Sequence, residues 1–187
     1  MYPAFLNLAA RKVVVVGGGP VAASKVAGLL EAGARVTIVA PEIRPELERD
    51  DLTLVRRAFE PGDLDGAWWV VAAAPPEVNR AVMLAAEGRQ VFVNAVDDPA
   101  AATAYLGAVV RRAGVTVAIS TGGRAPALAG LLREALDAWL PGDLERWMAA
   151  ADEARRLWRR DGTPMAERRP LLLDVLNGLY QNRSDRT

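Results

Sequence analysis

Val13-Val14-Val15-Val16-Gly17-Gly18-Gly19-Pro20-Val21-Ala22 decides the fold of this chain. Four consecutive β-branched residues make an apolar run without alternation. Such a run is a strand buried on both faces, as in a parallel sheet. Three glycines stop it in a tight turn, and Pro20 suits the first position of a helix. Beyond it, Val21, Ala22, Val26, Leu29 and Leu30 recur at helical spacing until Gly33 ends the helix. Val36–Ala40 is a second buried strand, closed by Pro41. Strand, glycine turn, helix and strand form a βαβ unit.

The same stretch fits G-x-G-x-x-G/A, in the strand-turn-helix context that the motif requires. Gly17 permits the turn, Gly19 lets the backbone approach a pyrophosphate, and Ala22 lets the helix pack closely on its strand. The helix N-terminus offers N–H groups and the positive end of its dipole to phosphates. No acid stands at the tip of the second strand. Glu42 is the nearest residue for a ribose hydroxyl, or else an ordinary exposed loop acid. Arg44 lies close enough to keep a 2′-phosphate open.

Outward from this unit the alternation continues. Leu52–Val55 and Trp68–Ala73 read as strands, Glu77–Glu87 as a helix and Val91–Ala95 as a strand. Alternating strands and helices give a parallel sheet with helices on both faces, so the fold class is α/β of Rossmann type. This portion closes near Tyr105–Arg112. Val115–Ser120 is one further strand. Pro126–Leu140 is a helix with Leu128, Leu131, Leu132, Ala135, Leu136 and Trp139 on one face, too apolar for a free surface. From Asp143 onward the chain is helical and rich in arginine, with a last stripe at Leu171–Tyr180 after Pro164 and Pro170. The expected division is a dinucleotide-binding domain at 1–112, a dimerisation segment at 113–141 and a helical C-terminal domain at 142–187.

Composition removes many chemistries. The 187 residues contain no cysteine and no histidine, which excludes disulfides, thiolate or imidazole metal sites and Ser-His-Asp catalysis. Proton transfer falls to Asp, Glu, Tyr, Lys or water. Lys+Arg and Asp+Glu are both 23, and this zero net charge argues against nucleic acid as a partner. No apolar run approaches the ~20 residues that span a bilayer, and no leader is visible, so a soluble, cytoplasmic protein is expected.

Asn94-Ala95-Val96-Asp97-Asp98-Pro99 leaves the carboxyl end of a parallel strand, where ligands bind in such sheets. Asp98 precedes a proline and suits the N-cap of a short helix. Asp97 is then left without a structural duty, either a general acid or base or a second turn acid. Ser120-Thr121-Gly122-Gly123-Arg124-Ala125-Pro126 is a second glycine turn that opens a helix. It is an anion site through Arg124 and backbone N–H groups, or a plain connection. Arg155, Arg156, Arg159 and Arg160 form a basic face, solvated or facing a polyanion. Trp68 and Trp69 read as core or interface aromatics.

Taken together, Phe5–Leu8, Val13–Ala22 with Lys25, Leu29–Ala34, Val36–Pro41, Val78-Asn79, Asn94–Pro99 and Ser120–Pro126 with Leu128, Leu132 and Arg133 resemble the precorrin-2 dehydrogenase family. That family includes the N-terminal part of multifunctional siroheme synthases. The resemblance implies NAD-dependent oxidation of the tetrapyrrole precorrin-2 to sirohydrochlorin, with Asp97 as the catalytic aspartate and NAD contacts at Gly19, Pro20, Val21, Pro41 and Glu42. It also implies a homodimer that exchanges the segment around Val115–Leu140, and in some members insertion of ferrous iron. Arg111, Arg124 and Arg133 are candidates for holding the substrate's carboxylates. With no His or Cys, no metal site of the protein's own is expected, and iron insertion is expected to be weak. Ala72–Pro75 and Ala101–Gly107 depart from the family pattern, and Ala125 replaces a common Ser. A nucleotide-sensing module without catalysis is the alternative, since it needs only the Gly17–Ala22 turn.

Overall fold

The computed structural model describes residues 1–96, 98 and 102–184. They divide into two compact units, Met1–Leu106 and Gly107–Thr187.

The first unit is built on five strands: β1 (Lys12–Val16), β2 (Arg35–Val39), β3 (Leu52–Val55), β4 (Trp69–Ala72) and β5 (Phe92–Ala95). Their spatial order is β3-β2-β1-β4-β5, and every pairing is parallel. Helix α1 (Pro20–Glu31) joins β1 to β2, and α2 (Pro76–Glu87) joins β4 to β5. The Rossmann-type α/β fold expected from the glycine turn is therefore present.

The valine run shows why the sheet is sandwiched. Val13 and Val15 pack with Ala22 and Val26 of α1, while Val14 and Val16 pack with Val82, Ala85 and Ala86 of α2. Side chains alternate faces along a strand, so a central strand covered on both sides must be apolar at every position. Trp69 is buried in the α1-side core beside Phe92, whereas Trp68 is half exposed with the Arg11 guanidinium 3.7 Å over its ring. The neighbouring tryptophans thus take opposite faces and opposite duties.

In the second unit, β6 (Ala108–Arg112) and β7 (Val115–Ile119) form an antiparallel hairpin, followed by α3 (Pro126–Trp139), α4 (Leu144–Arg160) and α5 (Met165–Ser184). The sequence reading has no strand at 108–112, and the expected break after residue 112 falls in the turn of this hairpin. Ala113 and Gly114 both have positive φ there, at 49° and 80°, the signature of a two-residue turn. Alanine disfavours that conformation, which hides the turn from a residue-type reading. Pro170 lies inside α5 rather than before it. It stands in the second turn and removes only one intrahelical bond, while Arg168 donates to the Thr163 carbonyl ahead of the helix.

Helices α4 and α5 are joined by a polar chain. Trp147 Nε1 donates to the Tyr180 hydroxyl at 2.6 Å, and that hydroxyl donates to Asp143 Oδ1 at 3.0 Å. The α4 basic face is half neutralised: Arg156 pairs with Glu153 and Arg160 with Asp161.

Candidate functional site

The order β3-β2-β1-β4-β5 reverses direction between β1 and β4, and at such a switch point the crevice outside the strand ends receives ligands. The glycine turn sits there. Gly17 continues the ladder on one side, its N–H donating to the Val39 carbonyl at 3.0 Å. On the other side the backbone just past β4 comes close: a Cβ on Gly17 would lie 2.2 Å from the Ala73 oxygen, and its φ of +124° excludes ordinary side chains. A Cβ on Gly18 would lie 2.1 Å from the Glu42 oxygen. Both glycines are required by the protein's own packing.

Gly19 differs. A Cβ there would meet nothing within 4 Å. Gly19 is also the N-cap of α1, with no side-chain cap, and Pro20 occupies the first turn. The remaining N–H groups of that turn have no intrahelical partner. Open space over a glycine and an uncapped helix N-terminus at the switch point fit a dinucleotide pyrophosphate. Val21 is 40% exposed at the mouth of this turn. Pro41 and Glu42 are exposed just beyond β2, on the loop whose backbone packs on Gly18. The structure thus gathers Gly17, Gly19, Pro20, Val21, Pro41 and Glu42 at one edge of the sheet.

The chain leaves β5 at the same edge: Val96 N–H donates to the Ala72 carbonyl at 3.0 Å. Asp97 lies outside the described residues, as does the helix start expected at 99–101. Asp98 is described, half-buried and engaged by a partner. From residue 102 the chain is irregular and is tied back to β5. Thr103 and Ala104 N–H groups share the Val93 carbonyl, Thr103 Oγ1 accepts from Val93 N–H, and the buried Asn94 amide donates to the Ala104 carbonyl.

Asn79 has a duty that the sequence reading did not assign. It is 4% exposed in the first turn of α2, and its Oδ1 accepts the Ala74 N–H at 3.1 Å. That bond holds the 73–75 connection against which Gly17 packs. An amide placed just after Pro75-Pro76 is the local sign of it, since Asn side chains bond to nearby backbone in turns.

The candidate arginines are in the second unit. Arg111 is exposed on β6; Arg124 is exposed in the turn before α3; Arg133 is half-buried on α3 and bonded to Glu134 at 3.2 Å. Arg112, beside Arg111, is spent on structure, donating to Asp137 at 2.7 Å and to the Leu140 carbonyl. In the Ser120–Pro126 turn Thr121 Oγ1 accepts from Ala125 N–H, and α3 starts without a side-chain cap. Among the described residues no group of three or more acids stands together as a metal site, and no helix is long and apolar enough to cross a membrane.

Asp63 is held by several donors. It accepts from both Arg57 terminal nitrogens, at 2.6 and 2.9 Å, and from Glu60 N–H at 2.8 Å. The Arg57 hydrogen bonds hold its carboxyl below the usual range. Lys12 Nζ donates to the Asp63 and Asp65 carbonyls, so one of the two lysines anchors the start of β1, away from the crevice.

Residues 4–108 match a family model described as "Putative NAD(P)-binding". Siroheme synthase 1 of Aeromonas hydrophila is 42% identical over 89% of this chain, and the siroheme synthase of Methylobacillus flagellatus is 39% identical over 95%. The chain spans 37% and 39% of those proteins' length. Among solved structures, "SirC, precorrin-2 dehydrogenase" matches with a TM-score of 0.74 at 27% identity, covering 94% of this chain and 89% of that one.

Proposed function

We propose, from the premise that this chain belongs to the NAD(P)-binding family, that it catalyses NAD-dependent dehydrogenation of precorrin-2 to sirohydrochlorin as a cytoplasmic homodimer. The observation that carries this reading is the correspondence to a precorrin-2 dehydrogenase along nearly the whole of both chains. The siroheme synthase names of the curated relatives point the same way.

NAD⁺, when bound, supplies the hydride acceptor. The α1 N-terminus and the open face of Gly19 bind its pyrophosphate. Asn79 keeps the neighbouring 73–75 connection in place. Loss of two hydrogens from the macrocycle requires a hydride and a proton to leave. Asp97 takes the proton, as the family resemblance implies for this acid, and the chain has no imidazole to do so. Arg111, Arg124 and Arg133 offer guanidinium partners to the substrate's carboxylates.

The dimer rests on α3. Leu131 is 64% and Trp139 78% exposed in the single chain, and only Ala129 of that helix is buried. An apolar helix face of this kind is an interface in want of a partner, and a second copy of the chain is the partner proposed.

The test is direct. Purified protein with NAD⁺ and precorrin-2 is expected to give sirohydrochlorin, followed by absorbance, with stoichiometric NADH. Tight NAD⁺ binding without turnover would favour a nucleotide sensor instead.

A further inference from the structure

The loop after β2 lies directly against the glycine turn. Arg44 N–H donates to the Gly18 carbonyl at 3.1 Å, and the Glu42 carbonyl stands where a Gly18 side chain would be. Residues 42–44 therefore border the ribose end of any dinucleotide laid along this turn. Two opposite charges compete for that place. A carboxylate accepts hydrogen bonds from a ribose 2′-hydroxyl and repels a 2′-phosphate; a guanidinium does the reverse.

The competition is decided by a third residue. Arg44 Nε is ion-paired with Glu46 Oε1 at 2.6 Å. Glu46 belongs to a 3₁₀ turn, Pro45–Leu47, fastened to the sheet by buried Leu47. Glu42 is exposed, and among the described residues its carboxylate has no partner. We infer that Glu46 is a positioning residue for cofactor choice: it holds the Arg44 guanidinium away and leaves Glu42 to meet the ribose, so the site takes NAD and discriminates against NADP. This rests on the dinucleotide reading above.

The Arg44–Glu46 pair is half exposed, so its hold is modest and removable. Calorimetry with NAD⁺ and NADP⁺ is applied to the full chain as wild type, as Glu46→Gln, and as Glu46→Gln combined with Arg44→Gln. The wild type is expected to prefer NAD⁺ by about tenfold or more, as charge discrimination of this kind gives. Glu46→Gln should tighten NADP⁺ by about three- to tenfold and move NAD⁺ by less than about twofold. Removing Arg44 as well should abolish that gain, since the gain needs the freed guanidinium. Three results would overturn the inference: a wild type that binds both cofactors equally, an unmoved NADP⁺ affinity in Glu46→Gln, or a gain that persists without Arg44. A wild type that binds neither cofactor would instead defeat the dinucleotide reading, so the same titration separates the two failures.

Discussion

Gly17 and Gly19 stand two residues apart and obey different constraints. At Gly17 any side chain strikes the Ala73 backbone and the positive φ is hostile to L-residues. Gly17→Ala is expected to cost roughly 2–5 kcal/mol of stability, from backbone strain and overpacking together. At Gly19 a methyl group meets no protein atom. Gly19→Ala should lower stability by less than about 1 kcal/mol, the scale of an N-cap change, yet weaken dinucleotide binding. Thermal melts and NAD⁺ calorimetry on both variants separate the two roles; equal affinity in Gly19→Ala and wild type would show that nothing approaches that open face. The adjacent acids Asp97 and Asp98 make a second pair. Asp97→Ala should reduce sirohydrochlorin formation by about 10²–10⁴-fold with NAD⁺ binding retained, the usual worth of a proton-transfer group. Asp98→Ala should keep most turnover. If Asp98→Ala is the inactive variant, the assignment is reversed.

Among the elements, the approach to β1 is held by charge as well as by packing. Lys12 reaches the carbonyls of the 3₁₀ turn Pro61–Leu64 and its end, and Arg57 grips Asp63 in the same turn. Asp63 therefore has a lower pKa folded than unfolded. The unfolded chain takes up this proton first as pH falls through about 4, the ordinary aspartate value. The stabilisation from Asp63 is complete above that pH and is lost progressively below it, as pH falls through the depressed folded value. Asp63→Asn should be less stable than wild type at pH 7, and the difference should shrink as pH falls below about 4. Denaturant midpoints across that range check it; a constant difference would mean that the carboxylate's charge plays no part.

At the scale of the molecule, α3 presents an exposed apolar face. Leu128 and Leu131 are half exposed or more beside Leu132 and Trp139. A second copy that covers this face removes that area from water, at about 25 cal/mol for each Å². Leu131→Asp should shift the dimer to monomer at micromolar concentration, read by light scattering, because an unpaired carboxylate in such an interface is costly. A wild type already monomeric under those conditions, or a variant still dimeric, would remove α3 from the assembly.

The nucleotide-binding half was legible residue by residue because its signals are local. An unbroken valine run, glycines that the backbone requires and helical spacing after Pro20 each act within a few residues. Together they determined β1, the turn, α1 and the Rossmann class. Of the β6–β7 hairpin only β7 was legible, as the strand after Gly114: Ala113 occupies a conformation its side chain disfavours, and Ala108–Arg112 becomes a strand only because β7 pairs with it. Asn79 was visible in sequence, but its duty was not, because that duty depends on where Ala74 comes to lie. The Arg44–Glu46 pair likewise reads as scattered loop charge until the 3₁₀ turn brings the two side chains together. Strand order, too, was decided only in three dimensions. Alternation of strands and helices predicts a parallel sheet, but the reversal between β1 and β4 depends on which edge each crossover returns to. Sequence carries what neighbours along the chain impose on one another; tertiary structure supplies the contacts between residues far apart, and the crevice is made of those.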